Sequence, residues 1–411
     1  MAAESTIVEI EPPVGASSNT NGALIATGGQ KKFRSIPPIH KVPASIRKWN
    51  EDQFSPRELS IGPYQCTKRE GFYGNLANSI SKGNEKFVQK LVRTVTDEYF
   101  DIRHYYTEDI DPYYVTEKLF IRDANLIIEI LLATGAFSDS YVPIDLLLLE
   151  NQLPFFLIEE VFRHKFRHPS SSLIELTFDF FKEFNVLNIK PSDLKVEIEQ
   201  FTDLLRTFYL PPSRQLPKRG EKKIELKYTA TQLQEAGVRF EASSSNCILD
   251  FKFDSKTGLL QIPCLDLLRD KTEVVVRNVL ALEQTRYEGK EYVSDYFLMM
   301  SSLIQSTEDM ALLHRLRIVF TDQYDDTKAL EIVQSLRSDI KSKDMNHDYN
   351  HICEKLNKFR NRPRSLMRIW KKPLKRDYCS DPWRTASTIA AILFLIFTLT
   401  QTVCSVIQTL H

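Results

Sequence analysis

Hydrophobic residues recur along most of this chain at three- and four-residue steps, the spacing that lines one face of a helix. In Asn84–Tyr106 the recurring positions are Phe87, Leu91, Val95, Tyr99 and Ile102. The same period predicts helices over Thr116–Leu132, Ser172–Phe184, Val196–Tyr209, Tyr228–Phe240 (ending at Gly237), Lys271–Arg286, Val293–Gln305, Ser306–Phe320 and Asp326–Lys341, and Asn346–Asn361 leads into a basic run. Ser306, followed by Glu308 and Asp309, has the chemistry of an N-cap with a favourable first-turn charge. Within Lys271–Arg286, Glu273 and Arg277 stand one helical turn apart and predict an ion pair.

Two stretches break the pattern. Leu249, Phe251 and Phe253 alternate with Asp250, Lys252 and Asp254; after turn residues 254–258, Leu260, Ile262 and Cys264 alternate back. Period two predicts a β-hairpin with one face on the helices. The other is Asp145-Leu-Leu-Leu-Leu-Glu-Asn-Gln-Leu-Pro-Phe-Phe156, which predicts two helical pieces meeting at a polar knot. Pro154 suits the first turn of the second piece. There Phe155, Ile158, Phe162 and Phe166 share a face, with Glu159 and Arg163 spaced to pair on the other. Glu150, Asn151 and Gln152 would satisfy the backbone groups that helix ends leave open. Packing of the two halves of the chain would bring Glu283 and Gln284 against them in one buried polar cluster.

The last run, Thr385–Ile407, contains 23 residues without a formal charge. At about 1.5 Å per residue it would span roughly 34 Å, enough for a bilayer core of about 30 Å. Its Ser and Thr hydroxyls can bond back to their own helix. The expected class is therefore mainly α: one large helical domain with a small β-hairpin, plus one C-terminal transmembrane helix. The expected organisation is a disordered segment over 1–34, a helical body over 35–357, a basic juxtamembrane segment over 358–384 and a membrane span over 385–407. The body divides into halves 35–210 and 228–357, joined by 211–227, which holds three prolines and six basic residues and reads as an exposed or cleavable loop.

Charge adds an orientation. The chain has 411 residues, with 54 basic and 54 acidic side chains, so overall balance gives no cause to expect nucleic-acid binding. Nine of the cations lie between Lys358 and Arg376 with no acid among them. Lys and Arg flanking a span stay on the cytoplasmic side, which predicts a cytosolic body. Lys371, Lys372, Lys375 and Arg376, followed by Trp383, would form the membrane interface and contact anionic lipid. Cys379 lies where juxtamembrane cysteines are acylated, although an ordinary thiol is the simpler reading. The 23-residue run favours the thicker plasma membrane.

Candidate chemistry is sparse. The six cysteines are scattered and none forms a C-x-x-C pair, which fits reduced thiols. His164 and His168, like His347 and His351, have a spacing that can share a metal on a helix, but their surroundings read as solvated polar faces. No phosphate loop, nucleophile elbow, zinc-protease or kinase motif occurs. The expectation is a non-enzymatic protein without cofactor or metal that binds an unidentified protein partner. The alternative is a hydrolase or transferase with a cryptic active site.

Several of these segments resemble, in order, a plant family catalogued as domain of unknown function 247, or uncharacterised protein family 0481. They are Leu59-Ser-Ile-Gly-Pro-Tyr64, the hallmark 145–156, Gln200–Arg206, Ala230–Val238, Arg277–Gln284 and Asp381-Pro-Trp383. The family usually has His where this chain has Gln65 and Gln200, and Asp-Gly-Cys-Phe where it has Asp123-Ala-Asn-Leu126. The resemblance implies a membrane-associated plant protein without an assigned activity; some grass members are implicated in pollen–stigma self-incompatibility.

Overall fold

The computed structural model describes residues 39–65, 102–110, 116–166, 169–211, 216–220, 224–267, 271–321, 325–341, 344–369 and 382–410, apart from 49, 109, 134 and 138, together with 89, 91 and 92. The expected disordered segment 1–34 and most of the helix expected over Asn84–Tyr106 lie outside these residues. Within that helix, Gln89, Leu91 and Val92 are helical and Ile102–Tyr105 form a 3-10 turn.

The fold is mainly helical, as periodicity predicts. Helix α1 (Glu117–Leu132) buries a wide apolar face and packs against α2 (Phe155–Lys165) and α3 (Leu173–Phe180). Ser172 caps α3 through a reciprocal capping box with Glu175. Helix α4 (Phe201–Thr207) is shorter than expected, because the chain before it is not helical. Then follow α5 (Ala230–Glu235), α6 (Thr272–Arg286), α7 (Tyr292–Leu303), α8 (Thr307–Arg315), α9 (Asp326–Ser338) and α10 (His347–Arg360). Ser306 caps α8 with Asp309 as its box partner, and Asn346 caps α10. The helix expected over Ser306–Phe320 stops at Arg315 because Arg317 is left-handed, with φ of 55°, which ends helical hydrogen bonding.

The expected hairpin is present and belongs to a larger sheet. Strands β2 (Lys252–Asp254) and β3 (Leu259–Ile262) pair antiparallel; β1 (Arg239–Ala242) adds parallel to β3, giving the order β1-β3-β2. The helix stops before the turn at Gly237, where its end was expected, and Phe240 beyond the turn is a strand residue. Phe253 sits edge-on to Phe359 of α10 at 5.5 Å, so one face of the sheet does rest on helices. A second pair, β4 (Leu265–Asp266) with β5 (Val319–Phe320), runs parallel.

A continuous apolar core extends from Ile39 to Phe359 and includes α1, α2, α6, α7, α9 and α10, so both halves of the chain share it. A smaller cluster of Val42, Ile46, Phe54, Leu149, Ala281 and Leu282 ties the opening segment to the hallmark and to α6.

Helix α11 (Pro382–Leu410) is different. Its segment Ile389–Gln408 has a mean hydropathy of 2.1, is long and apolar enough to cross a membrane, and buries none of its side chains. Thr398 bonds to Phe394 O (3.0 Å), Thr402 to Thr398 O (2.7 Å) and Ser405 to Gln401 O (2.9 Å), so hydroxyls in the run are satisfied by their own helix.

Candidate functional site

The polar positions of the hallmark hold backbone that has no sheet partner. The leucine run is not the regular helix expected. It is a single turn, Val142–Asp145, followed by consecutive tight turns to Asn151. Asp145 Oδ1 accepts from the Arg57 amide (3.0 Å), and its Oδ2 accepts from Glu58 (2.7 Å) and Leu59 (2.8 Å). Burial nevertheless holds this carboxyl above its ordinary pKa, against those three amides. Asn151 Oδ1 takes the Ile61 amide (2.7 Å), and its Nδ2 donates to Leu59 O (2.8 Å) and Asp145 O (2.7 Å). Asp123 of α1 accepts from Gly62 N at 3.0 Å. The amides of 57–59, 61 and 62 are therefore held by side chains from elsewhere in the chain, which is how this buried extended stretch meets its hydrogen-bonding requirement. Gly62 is obligatory in this arrangement: its φ is 66°, and a Cβ there would lie 2.5 Å from Gln152 O.

Gln152 works inward. Its Nε2 donates to Leu146 O (2.7 Å) and Leu148 O (2.8 Å), while Oε1 accepts the first amide of α4, Phe201 N, at 2.9 Å. Glu150 accepts Val42 N (2.7 Å) and forms an ion pair with Arg47. In α2 the expected Glu159–Arg163 pair is replaced: Arg163 meets the buried Glu160 at 2.5 Å, and Glu159 faces outward.

Glu283 is fully buried in a second network. It accepts from Arg206 Nε (2.9 Å), Val293 N (3.1 Å), Ser294 N (2.8 Å) and Ser294 Oγ (2.9 Å). The Arg206 guanidinium also donates to Lys290 O (2.6 Å) and lies 3.9 Å over the Tyr287 ring, whose hydroxyl bonds to Asp203. Gln284 turns away, with Nε2 on Asp339 O (2.7 Å) and Oε1 on Lys341 N (3.0 Å). The five residues expected to form one cluster thus stand in separate networks, with no hydrogen bond joining Glu150–Gln152 to Glu283 or Gln284. Each side chain is committed to backbone groups of its own neighbourhood. The connection is indirect: Gln152 holds the first amide of α4, and Glu283 holds Arg206 near its other end.

Other ionic centres were not legible. Arg219, in the segment expected to be an exposed loop, pairs with Asp295 (2.6 Å) and Glu291 (3.1 Å) and makes a β-bridge to Asn346. Tyr292 Oη donates to Pro217 O (2.9 Å), and His347 N to Lys218 O (2.9 Å), so residues 217–219 are bound to the body rather than free. Asp295 also accepts from Asn346 N (2.9 Å) and Nδ2 (3.0 Å), and burial pushes its carboxyl up to about 7. The predicted Glu273–Arg277 contact forms at 2.7 Å, but Arg277 is wholly buried and also bonds to Ser335 (2.7 Å) and Asp339. A signal existed for Asp123, Asp145 and Asp295, which are isolated carboxylates inside apolar runs and must be paired if buried. None existed for Arg206 or Arg219, whose partners lie far along the chain.

Lys371, Lys372, Lys375, Arg376 and Cys379 lie outside the described residues. Trp383, on the first turn of α11, is 85% exposed. Among the described residues no three His, Cys, Asp or Glu side chains are grouped to hold a metal ion. Cys247 and Cys353 are buried free thiols, and burial pushes Cys353 up to about 12, far from a reactive thiolate. Gln65 and Gln200, where the resembled family has His, are both buried.

The model of the family DUF247, described as plant protein of unknown function, matches residues 39–397. The UPF0481 protein At3g47200 of Arabidopsis thaliana is 22% identical over 421 aligned residues, covering 91% of this chain and 87% of that protein. The putative UPF0481 protein At3g02645, also of Arabidopsis thaliana, is 25% identical over 171 residues, covering 41% of this chain and 31% of its own length. No solved structure matches the chain significantly.

Proposed function

The chain belongs to the DUF247 family of plant proteins, and from that membership and the uncovered apolar helix α11 we propose a single-pass membrane protein whose helical body binds another protein at the bilayer surface. The observation that carries this reading is the exposure of Ile389–Gln408, in which no side chain is buried. Apolar surface costs about 25 cal/mol per Å² left in water, and contiguous patches above a few hundred Å² mark membrane or partner contacts. A bilayer removes that cost, and about 20 helical residues match its hydrocarbon thickness.

The nine cations between Lys358 and Arg376 support a cytosolic body, since such residues are retained on that side. The 23-residue uncharged run favours the plasma membrane. A binding role rather than catalysis is supported by the use made of the buried ionisable groups. Asp145 and Glu150 hold backbone of the opening segment, while Glu283, Asp295 and Asp339 pair with arginines and hold backbone or caps.

Alkaline carbonate extraction of plant microsomes tests the anchor. The full chain is expected in the membrane pellet, and release to the supernatant overturns the reading. Protease protection of an N-terminally tagged chain tests sidedness: the tag is expected to be digested in sealed, cytosolic-side-out vesicles, and its protection reverses the orientation.

A further inference from the structure

A shallow groove of about 420 Å³ opens beside β1 of the three-stranded sheet, lined by Gly237, Arg239, Phe240, Glu241, Leu316 and Arg368 among others. Its position follows from the turn that ends α5. Gly237 has φ of 99°, and a Cβ there would stand 2.0 Å from an Nη of Arg368, so the Arg368 side chain lies directly across this glycine. Arg368 belongs to a short helix over 363–369 that follows α10, and Arg239 opens β1 immediately after the turn. The groove is therefore flanked by guanidinium groups from two elements far apart in sequence.

Among the described residues, neither of these two arginines is held by a protein partner, unlike others close to them in the chain. Nearby Arg362 donates to Ser255 O at 2.7 Å and stacks on Phe359, and Arg360 lies 4.8 Å over Tyr228. No carboxylate, carbonyl or ring is paired with the side chains of Arg239 or Arg368 among the described residues. Glu241 is the carboxylate in the lining, two residues beyond Arg239 on the same strand face. Arg315 and Arg317, both exposed, flank Leu316 of the groove and add positive charge around it. Phe240 and Leu316 supply an apolar floor.

Chain continuity says what meets this groove. Arg368 stands 14 positions before Pro382, where α11 begins, and the cations Lys371, Lys372, Lys375 and Arg376 fall in between. On the same turn as Arg368, Leu366 is half-exposed and Met367 is 71% exposed. An exposed apolar pair beside free guanidinium groups, close in sequence to a bilayer-length helix, matches a membrane surface better than bulk water. We propose that the groove binds the phosphate-bearing headgroup of an anionic lipid, with Arg239 and Arg368 donating to the phosphate and Leu366 and Met367 resting in the interfacial layer. This rests on the membrane reading given above. Planar guanidinium forks suit phosphate oxygens, and a groove of this volume accepts more than a bare ion.

The test uses the full chain in neutral detergent micelles, titrated calorimetrically with a water-soluble dibutanoyl phosphatidylinositol phosphate. Wild-type binding is expected to weaken at least tenfold in R239Q/R368Q, to weaken less in R239K/R368K, and to change less than threefold in K182Q/K195Q, whose lysines are exposed in the first half of the body. Inorganic phosphate is expected to compete only at a hundredfold or greater excess. Undiminished binding by R239Q/R368Q with an unchanged melting temperature overturns the proposal. So does a greater loss in K182Q/K195Q, equal competition by inorganic phosphate, or preference for an acidic peptide over the lipid headgroup. If R239Q/R368Q is misfolded, R368K alone decides, with a threefold or greater loss expected and no loss overturning. Because the assay needs no bilayer, its outcome is separate from that of carbonate extraction.

Discussion

Arg206 of α4 donates through Nε to Glu283 of α6 at 2.9 Å, both side chains buried, and this contact joins the two halves of the body. Glu283 also holds the first amides of α7, so one carboxylate fixes three helices. Removing one member of a buried ion pair costs about 3–5 kcal/mol, because the other is left charged and unpartnered. Glu283→Gln is therefore expected to lower the melting temperature by roughly 5–15 °C, read by circular dichroism in detergent. The double variant Arg206→Met with Glu283→Leu should lose less than the two single changes added together, since their removal is coupled. Additive losses would show that the pair does not act as a unit.

Gly62 is expected to be the least replaceable position of the opening segment. In Gly62→Ala the new methyl carbon meets the Gln152 carbonyl at 2.5 Å, at a φ of 66° that L-residues avoid. The backbone term alone is about 1–2 kcal/mol, and the clash displaces Gln152 from Phe201. The destabilisation should exceed about 2 kcal/mol, accompanied by faster amide exchange at Ile61 and Phe201, measured by hydrogen-exchange mass spectrometry. Unchanged exchange at both amides would refute the coupling.

Asp295 gives the body a pH dependence of definite sign. Burial raises its carboxyl to about 7 in the fold, against the attraction of Arg219 and two bonds from Asn346, and with Glu283 raising it further. Glu291, Tyr292 and Tyr349 also surround it. Between about pH 4, its unfolded value, and about 7, the native state binds more protons than the unfolded one. This group's contribution to stability is therefore present in full below about pH 4, declines as pH rises, and is lost above about pH 7. The span corresponds to a few kcal/mol. Melting temperatures of wild type and Asp295→Asn from pH 4.5 to 8 should differ in slope, with the variant flatter. Parallel curves would exclude Asp295 as the source.

Arg219 anchors residues 217–219 to α7 and to the cap of α10. Arg219→Ala leaves the Asp295 and Glu291 carboxylates without their cation, and the segment should detach before the body unfolds. A lysine-specific protease should then cut at Lys218 at least tenfold faster than in wild type, at a temperature well below melting. Equal rates would mean that the backbone bonds of Pro217, Lys218 and Gly220 hold the segment unaided.

The hallmark shows where reading from sequence succeeded and where it stopped. Phe155, Ile158 and Phe162 share the buried face of α2 because a helical period is a local property. Ser306 caps its helix for the same reason. The five polar residues Glu150, Asn151, Gln152, Glu283 and Gln284 were expected in one cluster, yet their hydrogen bonds fall in separate networks. Local spacing does not say which of several backbone groups a side chain will reach. Phe320 was assigned to a helix but lies in a strand, because β5 pairs with β4, which is distant in the chain, and pairing outweighs the weak preference of a few residues.

The sequence alone determined the helical class, most helix positions, the hairpin, and the length and apolar character of the terminal run, because each depends on residues a few positions apart. Only the tertiary structure decided that Asp123, Asp145 and Asn151 clamp residues 57–62, that Arg219 is pinned to Asp295, and that Arg239 and Arg368 flank one groove. These arrangements join residues tens to more than a hundred positions apart. Their partners are chosen when the shared core brings the elements together and each buried charge or amide must find what is then within reach.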